Sequence, residues 1–184
     1  MKQTKSIQAI TLTALFAALT FIGTTIKIPL PTGAFVHLGN AMFLLAVLLL
    51  GYTKGAMAGS IGFALFDLLN GYATEAPYFV LECFIVAAFS YGAIRLFKEK
   101  PLKFPQLIFV GVVTGFAKLL MTQLKNFVFL LISGADVPQA WLAASIKLPA
   151  TLINVVTTIL IVSILYFPIK QLLDKQNFVT FSHK

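Results

Sequence analysis

The side chains able to bind or transfer anything are few in this chain, and they stand where charge is costly. Asp67, Glu82, Lys118, Lys125 and Lys147 interrupt apolar runs, together with His37, Asn40, Asn70, Asn126 and Asn154. In lipid such groups are expensive and are kept for ligand pathways or for pairing with each other. Lys118, Thr122 and Lys125 are four and three residues apart, so they share one helical face. Lys147, Thr151, Asn154 and Thr158 repeat that spacing, and Asp67 and Asn70 are three apart. Two acids, three lysines, amides and a histidine suit a compact molecule with several hydrogen-bonding groups. The same acids and lysines could instead pair only to hold helices together. No phosphate-binding loop, no His-Glu-x-x-His, no Gly-x-Ser-x-Gly and no cysteine cluster occurs. Cys83 is the single cysteine and reads as packing. The sequence therefore predicts no catalytic residue, no metal site and no cofactor held by this chain.

The elements that position these residues belong in a membrane. Hydrophobic residues make up 59% and charged residues 11% of the 184, against about 25% charged in soluble domains. Eighteen phenylalanines exclude a disordered chain. Continuous apolar runs exclude the two-residue alternation of a β-barrel. Breaks rich in Gly, Pro, Asn, Asp and charge divide the chain into segments near 6–26, 37–51, 55–72, 77–97, 105–133 and 140–169. The expected fold is all-α, a single bundle of six transmembrane helices. The first segment could be a signal peptide, but it lacks a small-x-small cleavage site and is long for one, so it is expected to stay. No internal repeat appears between the two halves, which weakens an inverted-repeat transporter reading.

Orientation follows from the basic residues. Lys2, Lys5, Lys54, Arg95, Lys98, Lys100, Lys103, Lys170, Lys175 and Lys184 share one side when both termini are cytoplasmic. The outer loops hold Lys27, Glu75 and Asp136, and Lys27 and Glu75 read as ordinary loop charges. Tyr52, Tyr72, Tyr78, Tyr91, Tyr166 and Trp141 fall near segment ends, as an interfacial aromatic belt requires. The net charge of +8 is thus assigned to topology and to contact with anionic lipid, not to nucleic acid. His183 lies in the tail and suggests no role. In this topology the polar set converges on the outer half of the bundle, around a cavity with its floor near Lys118 and Asn154. Small residues recur four apart at Ala14 and Ala18, at Gly51, Gly55 and Gly59, and at Gly111 and Gly115. Such spacing permits close helix approach, and for the glycines internal packing is the expected use.

Three stretches carry a family resemblance: TALFAALTFIGT (13–24), FVHLGNAMFLLAVLLLG (35–51) and KGAMAGSIGFALFDLLNGYATEAP (54–77). The chain resembles the substrate-binding S component of an energy-coupling factor (ECF) vitamin transporter of the riboflavin type. That group also includes members assigned to hydroxymethylpyrimidine or pyridoxine uptake. The resemblance implies a multi-pass subunit of a prokaryotic plasma membrane that captures a vitamin from outside. The loop 27–37 would be its lid, with Pro29 and Pro31 stiffening the path and Gly33 permitting a turn. Ala14 and Ala18 would dock onto a membrane coupling subunit that carries two cytoplasmic ATPases, where ATP and Mg are used. The S component is then expected to topple in the membrane to deliver its ligand. Asp67, Glu82, Lys125 and Lys147 are the expected polar contacts, with His37, Asn40, Asn70 and Asn154 secondary. This set points to hydroxymethylpyrimidine or a pyridoxine-like ring before riboflavin or pantothenate. A self-contained ion-coupled transporter or channel, with Asp67 and Glu82 as ion sites, is the alternative class. An intramembrane enzyme is disfavoured by the missing catalytic sets.

Overall fold

The computed structural model describes residues 2–97 and 102–175, with side chains described from residue 6 onward. Lys98, Lys100, His183 and Lys184 lie outside the described residues, as do the side chains of Lys2 and Lys5. The described chain runs α1 (Lys2–Thr25), β1 (Lys27–Pro29), β2 (Phe35–His37), α2 (Gly39–Leu50), α3 (Tyr52–Leu69), α4 (Ala76–Arg95), α5 (Phe104–Ile132), α6 (Val137–Ser145) and α7 (Leu148–Lys175). Ser6–Thr25, Ala76–Arg95, Phe104–Ile132 and Val137–Lys175 are long and apolar enough to cross a bilayer, the last taking α6 and α7 together. Large apolar side chains such as Ile22, Leu81, Phe116, Leu124 and Leu160 face outward. This is an integral membrane protein, with lipid as the solvent for that surface.

Two details differ from the six continuous helices expected. The segment 140–169 is broken at Ile146 and Lys147, which form a turn between α6 and α7. Pro149, in the first turn of α7, explains the break: it has no N–H to donate back to the Ser145 carbonyl, and its ring would clash with that carbonyl in a continuous helix. The loop 27–37, expected as a lid with a turn at Gly33, forms an antiparallel hairpin, pairing Lys27 with His37, Ile28 with Val36 and Pro29 with Phe35. Its tip turns at Gly33, whose φ of 75° is left-handed backbone that glycine adopts without strain.

Local sequence explains most of the remaining boundaries. Pro77, Pro105 and Pro138 stand in the first turns of α4, α5 and α6, where a missing N–H costs nothing. The Asp136 carboxylate accepts the Gln139 N–H at 2.8 Å and caps α6. Gly51, at φ 83°, allows α2 to reverse directly into α3.

Helix α2 organises the bundle. Every residue of it except Met42 is buried, as expected for a helix apolar on all sides. It packs on α1, α3, α4 and α7. Its 12 residues reach only about 18 Å at 1.5 Å per residue, well short of a bilayer core of about 30 Å. The space beyond its N-terminus is therefore left to other groups. Glycines bring the neighbours close. A Cβ on Gly55 would lie 2.5 Å from the Val47 Cα, and one on Gly62 would lie 2.6 Å from the Ala17 carbonyl oxygen. Gly111 and Gly115 likewise face Ile159 and Val155 between α5 and α7. We expect Gly55→Val to cost at least the ~1–3 kcal/mol typical of an overpacked core, because the obstruction is backbone. A lowered thermal midpoint in detergent would show this; an unchanged one would mean that α2 and α3 can separate.

Candidate functional site

The helices joined by short turns alternate in direction, so Lys54, Arg95, Lys103, Lys170 and Lys175 gather at one end of the bundle. At the other end, above the short α2, lies a cavity. It is walled by the hairpin, by the ends of α1 and α3, by the starts of α2, α4 and α7, and by the distal half of α5. Its empty space, open mouth included, is ≈ 950 Å³.

Seven of the eight predicted contact residues line this cavity: His37, Asn40, Asp67, Glu82, Lys125, Lys147 and Asn154. Asn70 does not. Its side-chain N–H donates to the Phe66 carbonyl at 2.9 Å and closes the end of α3, an ordinary use for an Asn at a helix terminus. Lys118, Thr122, Asn126 and Thr151, members of the helical polar stripes, do reach the cavity.

The charges are organised in pairs. Glu82 is 2% exposed, and its Oε1 lies 3.1 Å from the Lys118 Nζ. Lys125 pairs with Glu75, and its Nζ sits 4.7 Å from the centre of the Phe79 ring. Lys147 is exposed at the turn between α6 and α7, and among the described residues no carboxylate pairs with it. Among the described residues, three buried oxygens on this wall have no hydrogen-bond partner in the protein: Asn40 Oδ1, Asp67 Oδ2 and Glu82 Oε2. All three are acceptors as placed.

His37 and Asn154 have another occupation. The His37 backbone N–H donates to Asn154 Oδ1 at 2.9 Å, and Asn154 Nδ2 donates to the Phe35 carbonyl at 2.9 Å. The His37 ring nitrogen Nδ1 accepts the Gly39 N–H at 3.2 Å, which requires it unprotonated. Burial pushes the imidazole of this strand residue down to about 3, and the nearby Lys118 and Lys27 add to the shift. It is neutral at any ordinary pH.

Sequence reasoning missed the aromatic half of the cavity: Phe35, Phe63, Phe66, Tyr72, Tyr78 and Phe79. A signal existed. Phe63 and Asp67 are four apart, as are Tyr78 and Glu82, so each carboxylate shares a helical face with a ring. Lys27 and Glu75 are corrected as well. Glu75 is the partner of Lys125, and the Lys27 ammonium lies 4.7, 4.6 and 5.7 Å from the centres of Phe35, Phe66 and Tyr72. A cation among ring faces is attracted by their quadrupoles. Among the described residues no group of three or more His, Cys, Asp or Glu is arranged to hold a metal ion.

Away from the cavity, Ala14 and Ala18 are exposed on α1 while Ala17, between them, is buried. Comparisons with curated proteins and with solved structures return no match. The family model described as ECF-type riboflavin transporter, S component, matches residues 4–171. A match over nearly the whole of an apolar helical chain settles its membership: it belongs to the family of ECF-type riboflavin transporter S components.

Proposed function

We propose that this chain captures a small, uncharged heteroaromatic vitamin or vitamin precursor from outside a prokaryotic cell and presents it to a membrane coupling subunit served by two ATPases. In this reading it crosses the plasma membrane with both termini in the cytoplasm and is not an enzyme; ATP and Mg are used on the partners. The observation that carries the proposal is one cavity that combines ring-lined walls with three unpartnered buried acceptors, Asn40, Asp67 and Glu82. Such a group costs about 1–3 kcal/mol wherever neither water nor a ligand satisfies it. A flat ring bearing N–H and O–H donors would relieve that cost and stack on the phenylalanines. The basic ends of the helices lie opposite the cavity, which under the positive-inside tendency directs its mouth outward.

Hydroxymethylpyrimidine or a pyridoxine-like ring has the donors and the compact size that this polar wall favours. Riboflavin is the second reading, supported by the description of the matching family. The test is to purify the full chain from cells, denature it, and identify the released small molecule by mass spectrometry. A pyrimidine or pyridine methanol supports the first reading, and a flavin replaces it with the second. No released vitamin, with no saturable binding of hydroxymethylpyrimidine, pyridoxine or riboflavin, would overturn both. Uptake by the chain alone in ATP-free liposomes under an imposed ion gradient would favour a secondary transporter instead.

A further inference from the structure

We propose that Asn154 is a positioning residue that latches the Lys27–His37 hairpin over the cavity, and so governs how long a ligand stays. This rests on the reading of the cavity as a ligand site. Neighbouring residues of a strand turn their N–H and C=O groups to opposite edges. In β2 the Phe35 carbonyl and the His37 N–H therefore face one edge, and the groups of Val36 face the other. Val36 is registered with Ile28 of β1. Pro29, which has no N–H to give, is registered with Phe35, whose carbonyl is turned away to Asn154. The outer edge of β2 would be left without a ladder partner. The side-chain amide of Asn154 supplies one, accepting from His37 and donating to Phe35, each at 2.9 Å. A single side chain from α7 thus takes the place of a third strand.

Both ends of the Asn154 amide are used in this way, so it acts on a ligand through Phe35 and His37, which line the cavity. The opposite side of the hairpin has its own fastening. Lys27, on β1, rests among Phe35, Phe66 and Tyr72 and ties the hairpin to the end of α3. The hairpin is thus held on the α3 side by Lys27 and by the Phe35–Phe66 and His37–Phe63 ring pairs, at its base by the Leu38 N–H on the Gly23 carbonyl of α1, and on the α7 side by the two Asn154 hydrogen bonds. Opening the α7 side frees the edge of β2 and leaves the hairpin held over the ligand only from α3 and α1.

The test compares Asn154→Leu, which keeps the size but has no polar atom, with Asn154→Asp, which keeps an acceptor for the His37 N–H. Hydrogen exchange at His37 is measured on the full chain in detergent without ligand. One hydrogen bond of ordinary strength is worth about 0.5–1.5 kcal/mol. Exchange at His37 is therefore expected to rise roughly 3–10-fold in the Leu variant, and clearly less in the Asp variant. Dissociation of riboflavin, followed by its fluorescence, should accelerate by a similar factor in the Leu variant while its association rate holds. Unchanged exchange in the Leu variant would overturn the latch. So would an equal rise in both variants that extends through α2 and α3, because that is general loosening. If riboflavin binds to none of the three proteins, the riboflavin reading fails, and exchange at His37 still decides the latch.

Discussion

Replacing Ala18 with Trp, or Ala14 with Trp, is expected to reduce uptake to background while the purified protein binds its ligand as before. Both alanines are exposed on α1. Ala17 faces the other way, and its backbone carbonyl lies against α3, 2.6 Å from where a Cβ on Gly62 would stand. An indole on the outer face therefore meets nothing within the bundle. What it meets is any helix that must approach α1 from outside, and close approach in lipid depends on small residues at such positions. Loss of even a few favourable contacts is enough, since ~1.4 kcal/mol already shifts association tenfold. Uptake is measured in cells that also supply a coupling module, and binding on the same variant in detergent. Undiminished uptake would remove Ala14 and Ala18 from the docking role. Lost binding by a variant that still folds would show that this face communicates with the cavity.

How much of this could be read from the residues depended on what lipid penalises. Asp67, Glu82, Lys118, Lys125 and Lys147 stood out because ionised groups in apolar runs need a reason, and helical spacing then put them on inward faces. Phe63, Phe66 and Phe79 line the same cavity but were silent, because a phenylalanine is equally at home in lipid. The partners of the charges were also illegible. Glu75 and Lys125 are fifty positions apart, and only the packing of α4 on α5 decides that Glu75, and not Asp67, meets Lys125. The hairpin escaped notice because strands of three residues are too short to display an alternation. The break before α7 was hidden because Trp141–Ile146 is apolar apart from Ser145, with Lys147 and Pro149 as its only marks. The shortness of the second segment was visible, and it is what leaves room for the cavity.

The largest loss of stability is expected from Lys118→Met. Glu82 is almost fully buried, and its one ion-pair partner among the described residues is Lys118, itself 15% exposed. Removing the lysine leaves a carboxylate without a counter-charge, a change that costs about 3–5 kcal/mol when a buried pair is broken from one side. Glu82→Gln is expected to cost less. The lysine it leaves behind is more exposed than Glu82, and its ammonium still lies 5.6 Å and 5.8 Å from the Phe63 and Phe79 rings. The double variant Lys118→Met/Glu82→Gln should recover most of the stability lost by Lys118→Met, because it removes the stranded charge. A double variant no more stable than Lys118→Met would mean that the pair is not the reason the lysine is needed. The same proteins separate structure from recognition. The second oxygen of Glu82 is unpartnered, so Glu82→Gln should weaken ligand affinity even where it folds well, as should Lys147→Met, whose ammonium is free of any carboxylate among the described residues. Unchanged affinity in both would assign the two residues to structure and leave recognition to Asn40, Asp67 and the aromatic walls.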